Sequence, residues 1–224
     1  MEASILSHIN LEHEFRYMLA RGFARSTVLC DLMSAHGSDK GKDFHNYTIV
    51  YDWLFSRFRK EALHVFELGL GTNKPDAPSS MGPNGRPGAS LRGWREYFTA
   101  AEIYGADIDS DILFEEDRIR TFWTDQRDPN AIRDLWRRIP AISFDIMVDD
   151  GLHEAPANIC FFLESVGKLR PGGIYIVEDI TPDDVEMMSG FVRAVSCDAR
   201  SVVFELLDHP VNKIDNRLMI YQKY

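Results

Sequence analysis

Five short apolar runs in this sequence each end in acidic residues, and those ends are where its chemistry can be sought. They read Glu67-Leu68-Gly69-Leu70-Gly71, Asp107-Ile108-Asp109, Asp125-Gln126, Asp149-Asp150-Gly151-Leu152-His153 and Glu178-Asp179. Carboxylates gathered on one edge repel one another and rise in pKa unless partners offset the charge. Hydroxyls, an amine, a sulfonium or a metal ion would serve. The first, second and third ends suit a nucleoside. Gly69 and Gly71 let the backbone pass close to a ligand. Asp107 is placed to accept hydrogen bonds from ribose hydroxyls, and Asp125 from the exocyclic amine of adenine. The turn is not GxGxxG, so it offers no pyrophosphate cradle. An adenosine pocket without a phosphate device favours S-adenosylmethionine over NAD.

The fourth and fifth ends suit a metal. Neighbouring strands lie about 4.8 Å apart, so carboxylates at their ends can converge on one ion. Asp150, Glu178 and Asp179, with no cysteine and a single nearby histidine, favour a hard cation. Mg²⁺ is the first choice, Mn²⁺ or Ca²⁺ the next. His153, three residues after Asp150, is a candidate general base because its ordinary pKa lies near neutrality. The plainer alternative is that Asp150 caps a helix and that Glu178 and Asp179 merely end a strand.

The elements that must position these residues alternate. Apolar runs at Leu63–Leu68, Glu102–Ile108, Ile119–Thr124, Phe144–Val148 and Gly173–Val177 read as strands, with helical patterns at Ser90–Phe98, Pro129–Ile139 and Ala155–Leu169 between them. That alternation implies βαβ units and a parallel sheet, whose ligands sit outside the carboxyl ends of the strands. Val202–Leu207 and Arg217–Gln222 read as a closing antiparallel pair. The expected fold is therefore α/β, Rossmann-like and doubly wound, with a mostly parallel seven-stranded sheet. Residues 1–60 read as an N-terminal helical cap, with a break near Gly22 and a polar loop at His36–Lys42, and residues 61–224 as the core of the same single domain. The stripe Ile5, Ile9 and Leu19 fits a cover over the site, a homodimer interface or plain packing. Asn73–Pro87, rich in Pro, Gly and Ser, fits a lid or substrate loop as well as a solvated insertion.

Composition limits the partners. The 25 basic and 35 acidic residues give a net charge of −10, the wrong sign for a non-specific nucleic-acid binder or an anionic membrane surface. The three cysteines, Cys30, Cys160 and Cys197, have neither zinc nor disulfide spacing. There is no signal-peptide pattern and no apolar stretch of about 18 residues, so a cytoplasmic location is expected.

Taken together, the motifs resemble the class I S-adenosylmethionine-dependent methyltransferases, and among them the Mg²⁺-dependent macrolide-sugar (mycinamicin-type) O-methyltransferases. The resemblance runs from about Ser38 to Asp179, through GSDKG, HNYTIVY, VFELGLG, GASLRGWREYF, IYGADID, TDQRD, FDIMVDDGLH and LRPGGIYIVEDI. It implies metal ligation by Asp150, Glu178 and Asp179 and a base at His153. It implies cofactor contacts from Glu67, Gly69, Gly71, Asp107 and Asp149, an adenine region at Asp125 and Gln126, and closure over the cofactor by Tyr47 and Tyr51. The acceptor it implies is a hydroxyl of a saccharide-containing small molecule or oligosaccharide. A catechol-type O-methyltransferase and a non-catalytic S-adenosylmethionine-binding protein are the alternatives. The large N-terminal auxiliary domain of the macrolide-sugar enzymes has no counterpart in the motifs, which weakens any transfer of their substrate identity or oligomeric state.

Overall fold

The structure, a computed structural model, describes residues 2–21, 26–41, 43–77 and 79–224. Its strands are β1 (His64–Leu68), β2 (Glu102–Asp107), β3 (Glu115–Glu116), β4 (Ile119–Trp123), β5 (Phe144–Asp149), β6 (Leu169–Val177), β7 (Ala199–Leu206) and β8 (Arg217–Lys223). They form one sheet in the order β3-β4-β2-β1-β5-β6-β8-β7. The five central strands β4, β2, β1, β5 and β6 are parallel. β8 runs antiparallel to β6, and β7 antiparallel to β8, as the sequence pattern implied. The expected count of seven strands is corrected to eight. The additional strand is β3, two exposed glutamates paired antiparallel to β4. It is defined by backbone pairing alone and leaves no apolar signature in the sequence.

The helices are α1 (Leu11–Arg21), α2 (Val28–His36), α3 (Tyr47–Phe55), α4 (Ala89–Tyr97), α5 (Pro129–Arg138), α6 (Ala155–Ser165) and α7 (Val185–Val195). α7 was not among the elements expected from sequence. It buries only Met188 fully, so its apolar stripe is weak. The break anticipated near Gly22 lies outside the described residues, as do Lys42 and Pro78 of the two loops.

Side chains alternate across a strand, and this divides the core into two layers. Val65, Ile103, Ile146, Ile174 and Ile220 face α1 to α4, where they meet Phe15, Leu29, Tyr51 and Trp94. Phe66, Tyr104, Met147, Tyr175 and Tyr221 face α5 to α7, where they meet Trp136, Phe161 and Met188. Coverage on both faces is why the central strands read as nearly unbroken apolar runs. The N-terminal stripe divides likewise: Ile9 is buried in the first layer, whereas Ile5 and Leu19 are 39% and 37% exposed. That segment is stitched to β6 by the Ser4 amide donating to the Pro171 carbonyl at 2.8 Å.

Two backbone features aim the chain at the carboxyl edge. α2 is capped by Thr27 at its start and ended by Gly37 at φ 91°. The chain then turns into the 38–46 segment, which lies against that edge. At the end of β1, Gly69 adopts φ 89°, and a Cβ there would stand 1.8 Å from the carbonyl oxygen of Asp150. β1 and β5 therefore meet at the point where strand order reverses only because residue 69 lacks a side chain. Gly69→Ala should lower stability by about 3 kcal/mol or more, read by denaturant unfolding, because neither backbone can retreat. A fully stable variant would show that the approach is not a tight one.

Candidate active site

The acidic strand ends separate into two tiers. Glu67, Asp149 and Glu178 are almost wholly buried. Asp107, Asp125, Asp150 and Asp179 line a cavity of about 300 Å³ at the carboxyl edge of the sheet. Strand alternation sets the face of each. Glu67 points to the face covered by α3 and α4, and Asp149 to the face covered by α6.

The buried tier braces the site. Glu67 accepts hydrogen bonds from Ser90 Oγ and, at 2.5 Å, from Trp94 Nε1, which ties β1 to α4. Asp149 accepts from Gln126 Nε2 at 2.7 and 2.9 Å, and Gln126 Oε1 accepts from the Leu152 amide at 2.8 Å. Gln126 thus fixes the turn that carries His153. Tyr51 donates to Glu178 Oε1 at 2.5 Å, and Tyr47 donates to Asp179 Oδ1 at 2.7 Å. Tyr47, Tyr51, Glu67 and Asp149, expected among the cofactor contacts, are buried side chains that hydrogen-bond within the site. All four lie beneath the cavity and hold its walls. Both tyrosines are fully buried in α3, and burial raises their phenol pKa values, so they remain donors.

The charge offset that the clustered carboxylates require is Lys40, which sequence reasoning missed. Its ammonium donates to Asp150 Oδ2 and to Glu178 Oε2 and lies 3.8 Å from Glu67 Oε1. Its burial alone would favour the neutral amine, but Asp150, Glu178 and Glu67 together outweigh this and keep it charged. Glu178 is pushed upward, first by burial. Asp150 is held well below the usual carboxylate range despite its burial, by Lys40 and His153. The only sequence signal for Lys40 was its place in the GSDKG segment, more than 100 residues from its partners.

His153 and Asp179 complete the upper wall. His153 Nε2 lies 3.1 Å from Asp150 Oδ1 and 3.6 Å from Asp179 Oδ2. Burial would lower the imidazole pKa, yet the Asp150 hydrogen bond and the two carboxylate charges raise it to about 9. Asp179 is raised to about 6, chiefly by burial. His153 and Asp179 adopt φ of 59° and 53°. Left-handed backbone at residues other than glycine is strained, and such strain gathers at functional sites. Ligand atoms of Asp150, His153 and Asp179 lie within 4.8 Å of one another, and so do those of His45, Asp179 and Asp215. Hard carboxylate oxygens dominate both groups, the donor chemistry Mg²⁺ requires.

The other half of the cavity has a floor of Gly69, Leu70, Gly71 and Thr72 beside Asp107. Asp107 accepts from the Leu70 amide at 2.7 Å and the Asp109 amide at 2.8 Å, which fixes its carboxylate at the cavity edge. Asp125 reaches the cavity but also pairs with Arg127 at 3.2 Å. The 73–87 loop folds over this half, contributing Ala77, Ser79, Ser80, Met81 and Arg86. Asn73 Nδ2 donates to the carbonyls of Gly82 and Gly85, shaping the loop, and Ser79 Oγ donates to the Leu152 carbonyl across the cavity.

No protein-family model matches the chain. It is 39% identical over 152 residues to the 8-demethyl-8-alpha-L-rhamnosyl tetracenomycin-C 2'-O-methyltransferase of Streptomyces olivaceus, covering 68% of this chain and 37% of that protein. It is 33% identical over 163 residues to the mycinamicin VI 2''-O-methyltransferase of Micromonospora griseorubida, covering 73% and 38%. Among solved structures it resembles the MycE methyltransferase of the mycinamycin biosynthetic pathway, in complex with Mg, SAH and mycinamycin VI. The TM-score is 0.68 with 25% identity, over 89% of this chain and 55% of that one. The chain is a relative of the sugar O-methyltransferases and has the class I methyltransferase fold. It spans less than half the length of those curated relatives.

The two-tier arrangement separates binding from bracing. Tyr47→Phe removes a buried donor to Asp179 and should cost about 1–3 kcal/mol in denaturant unfolding. Its affinity for S-adenosylmethionine should stay within about twofold, because residue 47 is outside the cavity wall; the same 1.4 kcal/mol per decade applies to any loss. A tenfold or greater loss would show that Tyr47 contacts the cofactor.

Proposed function

We propose that this chain is an S-adenosylmethionine-dependent, Mg²⁺-assisted O-methyltransferase acting on a hydroxyl of a saccharide, free or attached to a small molecule. The observation that carries this reading is the continuity of one cavity. It joins the glycine turn and Asp107 to the cluster of Asp150, His153 and Asp179. The sugar acceptors named for the relatives support the acceptor class.

Asp107 would accept from the ribose hydroxyls of the cofactor, with Gly69 and Gly71 admitting it close to the backbone. Asp125 and Gln126 stand where adenine would lie, and Ser79, Ser80 and Met81 line this half. S-adenosylmethionine supplies an electrophilic methyl group. Asp150 and Asp179, with Glu178 as the third candidate, would hold a divalent ion, whose Lewis acidity would make a sugar hydroxyl easier to deprotonate. His153 takes the hydroxyl proton at Nε2. To do so its imidazole must be neutral, so the pull of Asp150 and Asp179 on its own proton must be engaged elsewhere. The left-handed backbone at His153 and Asp179 and the brace through Gln126 hold that ring in place, so that orientation contributes to the rate.

Residues 1–224 act in this reading as one unit, the turn before α3 delivering Lys40 to the site and α3 delivering Tyr47 and Tyr51. No helix among the described residues is long and apolar enough to cross a membrane. We place the enzyme in the cytoplasm.

The test is methyl transfer from labelled S-adenosylmethionine to a panel of rhamnosides, other glycosides, free sugars and catechols, with and without EDTA. Transfer to a glycoside that EDTA abolishes is the expected result; transfer to catechols alone would replace the acceptor class. His153→Ala should lower turnover by about 100-fold or more while S-adenosylmethionine still binds. Near-normal turnover removes the base assignment. Asp150→Asn should abolish metal-dependent activity, and activity that persists in EDTA would end the metal role.

A further inference from the structure

Lys40 is the one buried lysine whose ammonium touches the candidate metal ligands among the described residues, and no step above uses it. Each oxygen of Glu178 already accepts a hydrogen bond, and one of the two comes from the ammonium. Oε1 accepts from Tyr51 and Oε2 from Lys40. Asp150 is engaged on both sides too, Oδ2 by Lys40 and Oδ1 by His153. We propose that Lys40 is the resident counter-ion of the site, which a divalent cation must displace from Glu178, so that Lys40 opposes metal binding and sets its affinity. The inference rests on the metal-assisted reading above.

The structure supplies somewhere for the displaced ammonium to go. Glu67 Oε1 lies 3.8 Å from Nζ, is fully buried, and is already oriented by Ser90 and Trp94. A short swing from Glu178 toward Glu67 keeps the buried cation paired, which avoids the large cost of stranding it. The backbone need not move for this. The Lys40 carbonyl accepts from the Thr48 amide at 3.2 Å, which pins the residue to the first turn of α3. Without a metal, the same ammonium keeps carboxylates from repelling one another inside the protein. With a metal, it is a like charge a few ångströms from a dication, a repulsion weakly screened at a buried site.

The test is Lys40→Met, which keeps the length and removes the charge. Mn²⁺ is the probe, titrated by calorimetry or paramagnetic resonance into the metal-stripped full chain. The variant should bind Mn²⁺ about tenfold or more tightly than the parent. It should also melt lower in chelator, with the difference shrinking in Mn²⁺. A purely structural role would loosen the site and weaken binding, so the sign separates the two. Equal or weaker binding by the folded variant overturns the proposal and leaves the metal reading standing. Absence of Mn²⁺ binding in both proteins overturns the metal reading and the proposal with it. Binding by the variant alone overturns the metal-assisted reading of the parent, and the proposal with it. If the variant is insoluble without metal, it is purified in Mn²⁺ and release to excess chelator is timed against the parent. Slower release supports the proposal, and equal or faster release overturns it.

Discussion

Burying Glu67, Glu178 and most of Asp150 around a single ammonium is the constraint on which the carboxyl edge of this sheet depends. An isolated carboxylate inside a protein would take up a proton rather than remain charged. Lys40 changes that balance for Asp150, whose carboxyl stays ionised, while Glu178 is still driven upward by its complete burial. The contrast follows from partners: Asp150 has His153 as well as Lys40, and Glu178 has Tyr51. The N-terminal region is consequently part of the site, since the cation arrives on the turn between α2 and α3 and both tyrosines arrive on α3.

The rest of the edge is organised by close backbone approach and by amide braces. Gly69 allows β1 to pass against the end of β5. Gln126 bonds Asp149 with its amide nitrogen and the Leu152 amide with its oxygen, which leaves the turn little freedom. The strain at His153 and Asp179 is carried by these surroundings. Asp107 is held in the other half of the cavity by the Leu70 and Asp109 amides, and Ser79 of the 73–87 loop ties that half to the turn carrying His153 through the Leu152 carbonyl.

Much of the architecture was legible because burial on two faces imposes a pattern. The central strands announced themselves as apolar runs, and Asp107, Asp125, Asp150 and Asp179 stand where the carboxyl-end rule put them. β3 and α7 were illegible for the opposite reason: exposed glutamates and a helix with one fully buried residue carry almost no periodic signal. Tyr47, Tyr51, Glu67 and Asp149 stand near the edge but are buried beneath the cavity, which the sequence did not show. Position at a strand end says that a side chain is near the edge. Its direction is decided by register and by the helix packed over it.

By itself the sequence determined the α/β alternation, the edge that carries the chemistry, the absence of a pyrophosphate turn and the kinship with sugar O-methyltransferases. All of these rest on residues close together in the chain or on periodicity that local geometry enforces. Only the tertiary structure decided which carboxylates face the cavity and which lie beneath it. It alone brought Lys40 to Asp150 and Glu178, 110 and 138 positions away. Charge balance in a buried cluster is a property of neighbours in space. A lysine in a polar loop and a lysine among buried carboxylates look the same until the chain has folded.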